Sequence, residues 1–228
     1  MVVPTLDIEK ELWNHGFEFV VGLDEAGRGP LAGPMVAGAV IFGKNFDISP
    51  VGAERALPVN SIRDSKTLSK KQRAIAFDWI YDVALAIGVG RVEHSEIDEV
   101  GLTAAGQLAF ERSISNLVVG ADPCVGPSIK SAPTPDFFLI DCFKINDVPL
   151  EKQMGIIKGD QKVFTIAAAS IIAKVTRDKI MYEFDKKFPQ YGFINHVGYG
   201  TKVHLEALTK YGPCEIHRKT FEPVRKLL

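Results

Sequence analysis

The stretch Phe19–Phe42, FVVGLDEAGRGPLAGPMVAGAVIF, decides how the chain is read. Two apolar runs, Phe19–Leu23 and Met35–Phe42, flank a centre rich in glycine. Each run has strand length and is bounded by turn residues, so each reads as a buried β-strand. The first run ends in Asp24 and Glu25, followed by Gly27-Arg28-Gly29-Pro30. An ionised carboxylate walled in by apolar groups is costly unless it is paired or bound to a cation. Two adjoin here, with one arginine nearby. A divalent metal ion resolves that imbalance.

A third apolar run, Phe137–Ile140, also ends in an acid, Asp141. If the two strands lie side by side, their acids meet at one edge of a sheet, where strands sit roughly 5 Å apart. Glu25 joins Asp24 only if the chain turns there, because consecutive strand residues face opposite ways; Ala26-Gly27 permits a turn. Asp160, at the start of a long helix over Ile166–Phe188, is a possible fourth ligand. All these donors are oxygen, which favours Mg²⁺ or Mn²⁺ over zinc. Taken singly, Asp141 also reads as a turn residue and Asp160 as a helix cap.

The remaining pattern is mixed α/β. Ser69 is placed to cap a helix on which Ile75, Trp79, Val83 and Ala86 recur at helical spacing. Leu85–Val92 and Met154–Ile157 read as strands. Residues 95–117 read as helical, Phe188–Thr201 as a loop and Lys202–Lys210 as a short helix. Gly43–Asn60 and Gly120–Pro135 read as loops. The spacing of Gly22–Gly29 suggests a phosphate-binding P-loop, but Arg28 and Gly29 stand where Lys and Ser or Thr belong. A dinucleotide fingerprint over residues 27–32 fails because no helix follows.

At 228 residues, 46% of them hydrophobic, the chain is long enough for one real core. No apolar stretch reaches membrane-spanning length, and MVVPTLDIEKELW lacks the features of a secretory signal. Three widely spaced cysteines, Cys124, Cys142 and Cys214, suit a reducing cytosol better than a disulfide framework. The net charge of -1 hides a division. Residues 151–228 carry 14 Lys and Arg against 8 Asp and Glu, whereas residues 1–150 carry 13 against 20. A basic third beside an acidic cluster fits a phosphate track, and also fits ordinary solvated helix faces.

Several motifs occur in one order: GLDEAGRGPLAGP at 22–34, DSKTLS at 64–69, LID at 139–141, KGD at 158–160, AAASIIAKVTRD at 167–178 and YGFINHVGYGTKVH at 191–204. In these the chain, from about Val20 to Gly212, resembles type 2 ribonuclease H (ribonuclease HII). Two departures stand out: a longer Gly120–Pro135 segment, and Cys142 in place of glycine or alanine. The resemblance implies an RNase H-like fold, a five-stranded mixed sheet flanked by helices. Residues 1–188 would form the catalytic domain and 189–228 a helical C-terminal extension.

The resemblance also implies hydrolysis of RNA in RNA–DNA hybrids and incision beside single ribonucleotides in duplex DNA, by a two-metal-ion mechanism. Asp24, Glu25, Asp141 and Asp160 would be the metal-binding carboxylates. Gly27, Arg28 and Gly29 would read the ribose 2′-OH and adjoining phosphate, and Tyr199 would pack on the sugar 3′ to the ribonucleotide. Lys66, Lys174, Arg177 and Lys202 are candidate phosphate cations, with Lys66 and Lys174 preferred. His196 and His204 are candidates for proton transfer or for structure. A cytoplasmic monomer is expected. The alternatives are another metal-dependent nuclease of the same fold and a non-catalytic hybrid-binding module.

Overall fold

Val20–Ala26 (β1) and Met35–Ile41 (β2) form the antiparallel hairpin on which the molecule is built, with Leu23 opposite Ala39. The computed structural model describes residues 3–48, 62–119 and 132–228. Most of Gly43–Asn60 and of Gly120–Pro135, with Cys124, lies outside the described residues. Ala86–Val92 (β3) pairs antiparallel with β2, and the two-residue Val118–Val119 (β4) extends that edge. On the other side, Phe137–Asp141 (β5) runs parallel to β1, and Gln153–Ile156 (β6) runs parallel to β5. The order is β4-β3-β2-β1-β5-β6. The expected five-stranded mixed sheet is therefore present, with β4 as a short addition.

Both sheet faces are covered. Val20, Val40, Ile87 and Leu139 pack with Asp7–Asn14 (α1), Lys70–Val83 (α2) and the 24-residue Phe164–Lys187 (α5). Val21, Leu23, Ala39 and Ile140 face Leu102–Ser115 (α4), which follows His94–Val100 (α3). The alternation of Val20 and Val21 is the two-residue period of a strand buried on both faces. Small residues bring α5 close. Ala167, Ala168 and Ala169 are fully buried, and a Cβ on Gly38 would overlap the Ala169 carbonyl.

Several element readings need correction. On α2, the buried residues are Ala76 and Ile80, one turn apart, while Ile75 is exposed and Ala86 lies beyond in β3. Ser69 does cap this helix, accepting from the Gln72 amide in a capping box. Residues 95–117 are two helices, because Gly101 (φ +81°) breaks the chain between α3 and α4. Phe188–Thr201 is not wholly loop: a 3₁₀ turn, Pro189–Tyr191, precedes one helical turn, Phe193–His196 (α6). Lys202–Tyr211 (α7) follows, capped by Thr201.

A third apolar cluster, including Met181, Tyr191, Phe193, Leu208 and Val224, packs against Leu31 and Ala32. The segment after α5 thus sits on the glycine-rich loop that leaves β1. Among the described residues, no helix is long and apolar enough to cross a membrane.

The close approach of α5 sets a test. Gly38→Ala should destabilise the fold by about 2–3 kcal/mol through overpacking against backbone. Gly43→Ala, at a position with open space around the added carbon, should cost under about 0.5 kcal/mol. Urea unfolding of both variants measures the difference.

Candidate active site

The parallel register pairs Leu23 with Ile140, so the next residues, Asp24 and Asp141, lie at the same level of adjacent strands. The strand does not turn at Glu25. It continues to Ala26, paired with Val36, and the turn comes at Gly27 with φ +102°. Glu25 nevertheless belongs to the cluster, because β1 projects past the last rung shared with β5. Its carboxyl senses Asp141, and its amide donates to Asp24 Oδ1 at 2.7 Å.

Asp160 comes from a 3₁₀ turn, Gly159–Gln161, just before α5. It is not the cap of that helix: the capping position is Val163, without a side-chain bond. The Gly159 amide donates to Asp141 Oδ1 at 2.7 Å, which ties this turn to the end of β5. The four predicted acids are thus electrostatic neighbours.

Their protonation reflects the crowding. Burial, then Glu25 and Asp141, hold Asp24 well above the usual carboxylate range. Burial raises Glu25 to about 7; Arg28 opposes this and Asp141 adds to it. Asp160 is raised to about 6 by burial, Asp141 and Asp64, and Asp141 itself is raised mainly by burial. Lys66, at the exposed rim, has its ammonium form opposed by desolvation but favoured by Asp160, Asp24, Asp64 and Asp141, with a raised pKa as the outcome. One lysine faces four acids.

Two features were missed from sequence. Asp64 is a further acid of the cluster, with Gln161 Nε2 donating to its Oδ2 at 3.3 Å. It lies in the DSKTLS motif, so a signal existed. Ser170 on α5 partly offsets the rise at Asp24, and its Oγ lies 2.9 Å from that of Ser65; nothing in its apolar surroundings marks it.

The other predicted residues fall in two groups. Gly27 and Gly29 differ in what their missing side chains allow. A Cβ on Gly27 would collide with Arg177, so this glycine makes room for the protein itself. A Cβ on Gly29 would meet no more than an ordinary contact among the described residues, with Tyr199 Cε1 at 3.8 Å. Arg28 lies 3.7 Å from Glu25 and stacks on Phe143 at 4.6 Å. Tyr199 is 43% exposed, beside Lys174 and Arg177 at about 6 Å. Lys174 already pairs with Asp178 at 2.7 Å, and Lys202 lies 3.9 Å from Glu206 on the surface. Arg177 is fully buried, as is His204, and His196 is nearly so; none of them is open to solvent.

The acids suit a hard divalent cation on their own chemistry. They are oxygen donors, their burial and mutual repulsion are under-compensated, and Glu25 Oε2 is buried without a hydrogen-bond partner among the described residues. Among the described residues no three such side chains are already arranged as a metal cage. Glu25 leans on Arg28 and Asp141 on the Gly159 amide, so side chains must rotate to share an ion.

The family model described as Ribonuclease HII matches residues 21–224. Ribonuclease HII of Acholeplasma laidlawii is 46% identical over 228 residues, 100% of this chain and 99% of that protein. Ribonuclease HII of Acetivibrio thermocellus is 45% identical over 93% of this chain and 73% of its own length. Among solved structures, ribonuclease H2 from Pyrococcus horikoshii superposes with a TM-score of 0.67 at 27% identity, covering 92% of this chain and 96% of the other.

The raised carboxyls predict a pH-linked response to cation. Their acid forms are favoured by folding, so their contribution is full below the unfolded-state pKa and is lost as pH climbs through about 6 and about 7. Mg²⁺ held by these acids would replace those protons. Millimolar Mg²⁺ should therefore raise the melting temperature more at about pH 8 than at about pH 5. Equal shifts in thermal unfolding at both pH values would count against this cluster as the ion site.

Proposed function

The chain belongs to the ribonuclease HII family and is a ribonuclease H endonuclease; from that premise we propose that it cuts the RNA strand of RNA–DNA hybrids and incises 5′ of single ribonucleotides in duplex DNA. The products would carry 5′-phosphate and 3′-hydroxyl ends. The observation that carries this reading is the cluster of Asp24, Glu25, Asp141 and Asp160, in which carboxyls raised by burial and by one another lie beside a loop that is open at Gly29.

The family depends on divalent metal, and in this chain Asp24, Glu25, Asp141 and Asp160 would hold Mg²⁺ or Mn²⁺. Such a pair of ions supplies activation of the attacking water and neutralisation of charge at the scissile phosphate. Lys66, already drawn to the acids, would keep the pocket's charge balanced and lie against a substrate phosphate. Asp64, which accepts from Gln161 beside Asp160, and Ser170, which favours the ionised form of Asp24, would help to orient the acids.

Recognition of RNA rests on the 2′-OH, which is both donor and acceptor and is lacking in DNA. The amides of Arg28 and Gly29 donate to no acceptor among the described residues. They are therefore free to bind a hydroxyl or phosphate oxygen. Tyr199, on the open side of Gly29, would lie along the following deoxyribose. Lys174 would hold a phosphate only in competition with Asp178, since the two are already paired. We read residues 1–188 as the catalytic body and 189–228 as the extension that presents Tyr199. The free thiols of Cys142 and Cys214 support a cytoplasmic setting.

Duplex DNA holding one ribonucleotide tests the reading. Incision should require Mg²⁺ or Mn²⁺ and stop with chelator. Gly29→Val should lower incision by at least about 100-fold while changing affinity for plain duplex DNA by less than about 3-fold. Tyr199→Ala should hurt single-ribonucleotide cutting by about 10-fold more than cutting of a long hybrid. A Gly29→Val enzyme as fast as wild type would remove the 2′-OH role.

A further inference from the structure

Two arginines, Arg177 on α5 and Arg218 near the C-terminus, are fully buried, and neither forms an ion pair with a carboxylate among the described residues. Burying a guanidinium in this way is costly unless its donors are met. Here backbone carbonyls meet them. Arg177 donates to Pro34 O at 2.9 Å, Val197 O at 3.0 Å and Ala32 O at 3.1 Å. Arg218 donates to Gly27 O at 2.6 Å, Gly33 O at 2.9 Å and Arg28 O at 3.0 Å.

Five of these six carbonyls belong to one loop, residues 27–34. The sixth belongs to Val197, a β-branched residue held at φ +45°, where such side chains are strained, two residues before Tyr199. We propose that Arg177 and Arg218 are positioning residues for ribose discrimination. By drawing the carbonyls of the 27–34 loop inward, they leave the Arg28 and Gly29 amides facing out, and they lock that loop to the Tyr199 turn. The proposal rests on the reading of Gly29 and Tyr199 as the ribose and junction contacts. It adds that this specificity is set from beneath, by side chains that never touch substrate.

Rigidity is already visible in the chain. Leu31 N donates to Gly198 O at 2.8 Å and Gly33 N to Ile216 O at 2.9 Å, so the same loop is pinned through its amides as well. At the Arg28–Gly29 corner, by contrast, the amides have no protein acceptor among the described residues. A preorganised donor pair binds an oxygen without first paying to order itself.

Arg177→Lys and Arg218→Lys keep the charge and lose the fork. In each, KM for single-ribonucleotide duplex should rise about 10-fold or more, while affinity for all-DNA duplex and the Mg²⁺-induced melting shift stay within about 2-fold of wild type. A variant that was merely less folded would lower apparent kcat and leave KM alone. Unchanged KM in both folded variants overturns the proposal. Amide hydrogen exchange on the wild-type protein decides the case if a variant does not fold. Leu31 and Gly33 should exchange at least about 100-fold slower than a free peptide, whereas free-loop rates there overturn the clamp. Gly29→Val separates the two readings. If it cuts normally, the ribose-reading loop itself is wrong; if it fails while Arg218→Lys and Arg177→Lys match wild type, only the clamp is wrong.

Discussion

The pairing of β1 with β5 is the contact on which the rest depends. The two strands lie more than a hundred residues apart in sequence, and their parallel register, Leu23 against Ile140, brings Asp24 level with Asp141. A slip of one residue would turn every side chain of one strand to the opposite face. That slip is prevented by burial on both sides: Val21 and Leu23 go to the α4 face, Val20 to the α5 face. The apolar pattern thus fixes where charge can appear. It appears only where β1 outruns its neighbour.

Convergence of this kind creates an electrostatic tension that packing must hold. Acids gathered in so small a space, with Lys66 and Arg28 as their nearest cations, oppose folding at neutral pH in the absence of an ion. The opposition is met by the α5–sheet contact, in which Thr165 seats against Gly22 of β1 and Ala169 against Gly38 of β2. The same helix carries Ser170 to Asp24 and Arg177 to the glycine loop. One rigid element therefore serves the core, the acid cluster and the glycine-rich loop, and a shift in it would disturb all three.

Much of this could be read from the residues because strong local patterns report strong physics. Apolar runs of strand length ending in acid marked β1 and β5, and Ser69 with Gln72 marked the start of α2. The face of α2 was misread because Trp79 and Val83 lie at the edge of its buried stripe and drew Ile75 into a false period. Asp160 looked like a helix cap, since position and residue type suit one, but a 3₁₀ turn intervenes. Gly27 and Gly29 are alike in sequence and differ in duty. Only the packing of Arg177 against one, and open space beside the other, separates them.

The C-terminal segment shows why its polar residues are buried. His204 Nδ1 lies 2.9 Å from Tyr199 O, so this nitrogen must carry the proton. Its Nε2 then accepts from His217 Nε2 at 3.0 Å, which leaves His217 Nδ1 to accept from the Cys214 amide at 2.9 Å. Burial pushes both rings down to about 4, so each is neutral at neutral pH. A neutral imidazole has one donor and one acceptor, and here they line up in one direction, from the Cys214 amide to the backbone of Tyr199. A charged ring would put a second donor between His204 and His217 and break the chain. His204 and His217 therefore hold the turn beside Tyr199 by staying uncharged.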